Sequence, residues 1–272
     1  YRNTDLSLPE IADELGVDAV LEGSVLRAGN KVRINVSLID AHEERRLWGE
    51  QLDRDLVDIL ALYSDVTRQI TDQIHVTVSE TEQAYLAAAQ PVNVESYDRY
   101  LRGMAMCDHW SQQSMLRGIE QLRGLTEADP DHARAHAGLA LCLQYAAFFD
   151  FLVNEDIREE ALAAADRSVI LAPDLPIAQV AKGGTYWYLD FDAKTALQAL
   201  ETALEINPAN SRALIHHSWL LSESGVHDLA LESARRAVDL DPFNNATHQA
   251  LGQALYQARE FESSLEPLLE AV

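Results

Sequence analysis

Apolar residues recur along the chain with two different periods, and the change between them divides it. Val32, Ile34, Val36 and Leu38 alternate with polar neighbours, the period-two mark of a strand with one buried face. Asp18 to Arg27 reads as a strand before it, with Ala28-Gly29-Asn30 as the tight turn between them. Arg45 to Gln51, carrying Leu47 and Trp48, reads as a third strand. Ahead of the strands, Leu8 to Leu15 is a short helix: Ser7 suits its cap, Pro9 its first turn, and Gly16 its end. After them Leu56, Ile59, Leu60, Tyr63, Val66, Ile70 and Ile74 fall at helical spacing and predict one long amphipathic helix.

From residue 94 onward the period is helical throughout, and prolines punctuate it. Ala128-Asp129-Pro130, Ala172-Pro173, Ile206-Asn207-Pro208 and Leu240-Asp241-Pro242 each end an apolar helical stretch. The last two prolines are 34 residues apart, the preceding gap is 35, and the one before it is 43. A recurring period of this size marks a repeat array. With proline at position 32 of a 34-residue frame, one unit runs from Ser211 to Asn244 with Leu221, Gly225, Ala230, Ala234, Ala237 and Leu240 at positions 11, 15, 20, 24, 27 and 30. The unit from Asn245 places Leu251, Gly252, Leu255 and Phe261 in the same frame. The unit starting near Pro176 brings Gly183, Tyr186, Ala196, Leu200 and Ala203. The unit from Ala133 brings Leu139, Ala140 and Ala161, with an insertion from Phe148 to Asp156 between its helices. The first unit is the least regular, with Gly103, Gly118, Leu122 and Pro130. Small residues at positions 8 and 20 let paired helices approach, and proline at 32 stops the second helix. A helix with one apolar stripe cannot bury it alone, so such units stack.

This pattern resembles the tetratricopeptide repeat over residues 94–272, in units 94–132, 133–175, 176–210, 211–244 and 245–272. The resemblance implies an all-α solenoid of about four and a half repeats, the last cut within its second helix, so that the natural array continues past Val272. Residues 1–93 carry a second resemblance. Ile11 to Asp18, Leu21-Glu22-Gly23-Ser24-Val25, Val32 to Val36, Leu38-Ile39-Asp40, Leu47-Trp48 and Asp53 to Leu56 look like the TolB amino-terminal-like domain. That domain precedes tetratricopeptide arrays in bacterial multidomain regulators, where relatives carry nucleotide-cyclase, winged-helix or protein-kinase domains. The family's opening strand and helix have no counterpart here, which implies a truncated α/β domain and, with the start at Tyr1, a piece of a longer protein.

Charge changes the picture more than composition does. With 21 Lys+Arg against 44 Asp+Glu, the net charge is −23. The excess is spread along the chain, with 17 acidic and 8 basic residues in 1–93 and 27 and 13 in 94–272. Such a surface repels phosphate backbones, so nucleic acid is not an expected partner. The acidity serves solubility or a preference for basic ligands. No apolar run reaches the length of a membrane helix, so membrane association would come only through a helix upstream of Tyr1. The expected compartment is the cytoplasm, or the periplasm if such a helix exists. Cys107 and Cys142 sit on first helices of adjacent units outside any C-x-x-C pattern and read as buried free thiols, a disulfide requiring an oxidising compartment.

Catalytic constellations do not emerge. Gly23 to Lys31 lacks the spacing and the Ser/Thr of a phosphate loop, and His42-Glu43 lacks a second histidine. His132 and His136 are four apart, but one lies in a turn and the other at a packing position, so a metal site is not expected. No cofactor is expected either. The stronger candidate is a binding groove. The tetratricopeptide resemblance implies that first helices line a concave wall at frame positions 2, 5, 9, 12 and 13. Those positions hold Tyr97, Tyr100, Met104, Arg134, Gln144, Tyr145, Trp187, Tyr188, Arg212, Trp219, Gln249, Gln253 and Tyr256, rich in the aromatic and arginine residues that anchor interfaces. The expected function is a non-catalytic protein- or peptide-binding sensory region of a bacterial signalling or transcription-regulating protein. The alternatives are the regulatory half of a nucleotide cyclase whose catalytic domain lies upstream, and a self-associating oligomerisation module.

Overall fold

The computed structural model describes residues 6–28, 31–55, 69–70 and 93–271 of the 272-residue chain. They group into two compact units, Tyr1–Val94 and Glu95–Val272.

The first unit opens with helix α1 (Leu8–Leu15), followed by strands β1 (Ala19–Ala28), β2 (Lys31–Asp40) and β3 (Arg45–Asp55). The Glu10 carboxylate accepts hydrogen bonds from the Ser7 backbone N–H and hydroxyl, each at 2.7 Å, which fixes the first turn of α1. Gly16 ends the helix in the left-handed region, at φ 63°. The strands form an antiparallel meander in the order β1-β2-β3. Val32, Ile34, Val36 and Leu38 are buried in strict alternation, as their spacing predicts, and Leu52 and Ile70 pack with them. On the opposite face Arg33 makes a two-pronged bridge to Asp53, at 2.7 and 3.1 Å. That cross-strand pair explains why β3 continues to Asp55 instead of ending at Gln51: the register keeps β2 and β3 paired as far as Lys31 opposite Asp55. Leu21 and Val25 of β1 face Leu38 and Ile34 in register but are exposed. Gly29 and Asn30 of the expected turn lie outside the described residues, as do Leu56, Ile59, Leu60, Tyr63, Val66 and Ile74 of the expected long helix.

The second unit is a tetratricopeptide-like solenoid of five antiparallel helical hairpins. They are α2/α3 (Val94–Cys107, Gln112–Ala128), α4/α5 (Ala133–Phe148, Asn154–Leu171), α6/α7 (Pro176–Asp190, Ala193–Ile206), α8/α9 (Ser211–Glu223, His227–Leu240) and α10/α11 (Asn245–Gln257, Phe261–Glu270). The punctuation works as the prolines suggest. Helices α3, α5, α7 and α9 end at Asp129, Ala172, Asn207 and Asp241, whose extended backbones (φ −137°, −148°, −139° and −145°) are what a following proline enforces. The turns are then locked from the next helix. His136 bonds to the Pro130 carbonyl at 2.9 Å, Gln179 to that of Pro173 at 2.8 Å, and His248 to that of Pro242 at 2.7 Å, each six residues on. His132 caps α4 by accepting the Ala135 N–H at 3.1 Å. The two histidines four apart are thus turn and cap residues. No cluster of three or more metal-ligating side chains occurs among the described residues.

Within a hairpin the small residues do what their positions require. A Cβ on Gly118 would lie 2.8 Å from the Gly103 carbonyl oxygen, and one on Gly183 would lie 2.6 Å from Leu200. Repeat two absorbs its insertion in two ways: α4 and α5 lengthen to 16 and 18 residues, and an aromatic turn, Phe149 to Val153, joins them. Each hairpin also has one left-handed residue between its helices: Trp110, Asp150, Phe191, Gly225 and Arg259. Only Gly225 adopts that conformation without a side-chain penalty.

The cysteines correct the expectation of free thiols. Cys107 and Cys142 are disulfide-bonded, with Cα atoms 5.8 Å apart. They are 35 residues apart, about one repeat, so they occupy facing positions on the adjacent first helices α2 and α4.

Two outcomes are expected. Closing a loop over a 35-residue separation stabilises by about 2–4 kcal/mol. Urea unfolding with and without reductant should differ by that amount, and alkylation of the unfolded, unreduced chain should label neither cysteine. Phe191 is 80% exposed at φ 56°, so Phe191→Gly should raise the unfolding free energy by about 1 kcal/mol in the same assay.

Candidate functional site

The first helices of the hairpins form one layer, and their inner faces should be a simple trough if each repeat touched only its neighbours. The side chains depart from that arrangement. The Tyr145 hydroxyl of α4 meets His216 Nε2 of α8 at 2.9 Å, although α6 lies between the two helices in sequence. Gly184 of α6 faces this contact. A Cβ there would lie 2.5 Å from Gln144 Oε1 and 2.9 Å from the His216 ring, so a larger residue would displace those two side chains. A second bridge is longer in sequence: Arg212 at the start of α8 pairs with Asp108, in the turn after α2, at 3.3 Å. Repeats one and two therefore touch repeat four across the inner wall.

Burial sets the electrostatics of this junction. His216 is fully buried, and burial first, then the nearby Arg212 charge, pushes its pKa down to about 3, so it is neutral. The neutral ring shares one hydrogen bond with the Tyr145 hydroxyl through Nε2. The Tyr145 phenol is itself pushed up by burial. Arg212 is held above its usual value by Tyr145 and Asp108, against its own desolvation. Tyr100 is pushed up to about 12, again chiefly by burial.

Beside the junction lies a cavity of about 440 Å³. Its aromatic wall is Trp110, Tyr145, Phe148, Phe149, Trp187 and Trp219, and Phe243 stands at its edge. The rings contact one another. Trp110 is edge-on to Tyr145 and Phe149 (centroids 5.2 and 5.4 Å), Phe148 is parallel to Trp219 within 8° (6.4 Å), and Trp187 is tilted against Trp219 (6.5 Å). Carboxamides supply the polar part: Gln144, Asn244, Asn245 and Gln249. Gln144 Oε1 and Trp219 Nε1 are buried and lack a hydrogen-bond partner among the described residues. Trp110 is held in the left-handed region, where a bulky residue is uncommon, and its ring closes one side of the cavity.

Of the groove residues expected from the sequence, Gln144, Tyr145, Trp187, Trp219 and Gln249 line this cavity. Arg212 stands behind it, paired with Asp108. Met104 and Tyr100 are buried in the core, where Tyr97 and Tyr100 lie ring to ring at 5.9 Å, and Arg134 is half-buried on the same repeat pair. Tyr188 lines a separate cavity of about 610 Å³ with Phe151 and Phe191. Gln253 and Tyr256 line neither; the Tyr256 ring is edge-on to Phe261 at 5.3 Å. Trp110, Phe148, Phe149, Phe243, Asn244 and Asn245 were not foreseen. The signal for two of them is visible in the sequence: Phe148-Phe149-Asp150-Phe151 is an aromatic run inside the stretch that breaks the repeat period.

The junction predicts an acid sensitivity. The His216 pKa is depressed in the fold, so its contribution is fully present above about 6.5 and is lost as pH falls toward 3. His132 and His217 shift in the same direction, both mainly through burial. Urea midpoints should fall steadily from pH 6.5 to 4, and His216→Gln should remove about one proton from the slope. An unchanged slope would mean that His216 takes up its proton in the folded chain.

No family model matches the chain. Among curated proteins, a putative adenylate cyclase 3 of Rhizobium meliloti (strain 1021) is 35% identical over 141 residues, which is 52% of this chain and 24% of that protein. The small glutamine-rich tetratricopeptide repeat-containing protein 2 of Mycosarcoma maydis is 27% identical over 81 residues, 30% of this chain and 23% of that one. The chain thus spans about a quarter of the length of the curated relatives it matches. Among solved structures, it is similar to TTC0263, a thermophilic TPR protein of Thermus thermophilus (TM-score 0.48, 14% identity, 65% of this chain and 94% of that one). It is also similar to MamA from Desulfovibrio magneticus RS-1 (TM-score 0.42, 20% identity, 65% and 93%).

Proposed function

We propose that this chain is a non-catalytic sensing region that captures a segment of a protein or peptide in the aromatic cavity of its helical array. The observation that carries the reading is the cavity itself. Six rings from the first four hairpins converge on about 440 Å³, and the carboxamides of Gln144, Asn244, Asn245 and Gln249 line the same space. Large rigid rings give contact area at low ordering cost, and preformed pockets of this kind are where interface anchors seat. The exposed carboxamides of Asn245 and Gln249, each a donor and an acceptor, suit the alternating carbonyls and amides of a peptide backbone.

The host protein, in this reading, is a bacterial signalling protein with a nucleotide-cyclase output. The 35% identity to a putative adenylate cyclase supports it, as does the resemblance of residues 11–60 to the TolB amino-terminal-like domain. The Cys107–Cys142 bond supports the extracytoplasmic alternative for this segment, because cytosolic thiols are kept reduced. The coding sequence upstream of Tyr1 tests both points: a cyclase domain and an intervening membrane helix are expected.

Capture is tested by selecting a displayed random-peptide library on the 272-residue chain. Selected peptides should lose at least tenfold in affinity for Trp187→Ala/Trp219→Ala while circular dichroism stays helical. Peptides that bind the double variant as tightly as the parent would remove the cavity from the proposal. Light scattering of the free chain separates capture from self-association.

A further inference from the structure

The chemistry of the cavity narrows its occupant, an inference that rests on the capture reading above. We propose that the cavity takes an arginine side chain, presented by a basic peptide segment of the partner.

Three observations converge on a planar cation. The first is the wall. Aromatic faces carry partial negative charge, and a cation within about 6 Å of a ring centroid is attracted to it. Trp110, Trp187 and Trp219 are the strongest such rings, and all three line the cavity with Tyr145, Phe148 and Phe149. Phe148 and Trp219 lie 8° from parallel, the orientation on which a flat group stacks.

The second is charge. No lining residue is cationic, while carboxylates stand next to two of them. Glu223 lies close to Trp187, and Asp241 accepts a hydrogen bond from the Asn244 amide at 2.9 Å. Arg212, the basic residue behind Tyr145, is already paired with Asp108. The solenoid carries 27 acidic and 13 basic residues, so its field draws basic segments toward it.

The third is hydrogen bonding. Asn245 and Gln249 are exposed among the lining residues and offer amide oxygens to a donor. A guanidinium can stack through its face and donate through its edge at once, and it gives up water more readily than an ammonium.

The test is a titration of the 272-residue chain, read by tryptophan fluorescence, with blocked pentapeptides Ala-Ala-Xaa-Ala-Ala. Xaa is arginine, citrulline or norleucine. Citrulline keeps the shape and removes the charge; norleucine keeps only the apolar stem. The arginine peptide should bind at least tenfold more tightly than either. Glu223→Gln should weaken the arginine peptide about threefold and leave citrulline unchanged, with helicity intact. Equal binding of arginine and citrulline, or tighter binding of norleucine, would overturn the arginine assignment and leave peptide capture standing. An arginine peptide that does not bind overturns it as well. The library selection decides capture separately: selected peptides that are apolar and lack arginine support capture and contradict this inference.

Discussion

The meeting of α4 and α8 over Gly184 organises the inner wall of the array. A stack of helical hairpins makes contacts between neighbours by construction, and its inner face is then an open trough. Here Tyr145 and His216 join repeats two and four beside Gly184, and Asp108 and Arg212 join one and four. What remains open beside these bridges is a bounded aromatic space. The shape of the candidate site therefore follows from a packing event two repeats long.

The rest of the wall is arranged around that event. The insertion in repeat two supplies Phe148 and Phe149, the left-handed turn after α2 supplies Trp110, and the Cys107–Cys142 bond ties that turn to α4. A neutral His216 and an unionised Tyr145 keep the junction free of net charge, apart from the matched Asp108–Arg212 pair. Trp110 at positive φ lines the cavity and the buried His216 stands behind it, both of which cost stability where they are.

Much of the fold is legible in the sequence because it rests on local rules. The alternation from Val32 to Leu38, the capped start and glycine end of α1, and the prolines that stop α3, α5, α7 and α9 are all decided within a few residues. The frame also names five of the cavity's lining residues, since side-chain direction on a helix follows from position. What it does not give is curvature. That Tyr145 and Trp219 would be almost buried, and that Gln253 and Tyr256 would lie away from the cavity, depends on how non-adjacent repeats close. Gly184 lies against the Tyr145–His216 contact, yet in the sequence it is only the second of two adjacent glycines on a helix. The disulfide was missed for a similar reason: cysteines one repeat apart face each other only once the hairpins are stacked.

The central claim is that the space beside the α4–α8 junction is where a partner is held. The four tryptophans make it directly measurable, because Trp110, Trp187 and Trp219 line that space and Trp48 lies in the β-sheet unit. The decisive measurement is a nitrogen-15 spectrum of the indole N–H groups, recorded as a bound peptide is titrated in. Shifts at Trp187 and Trp219 with Trp48 unmoved are the predicted result; a saturating peptide that leaves Trp187 and Trp219 in place would contradict it.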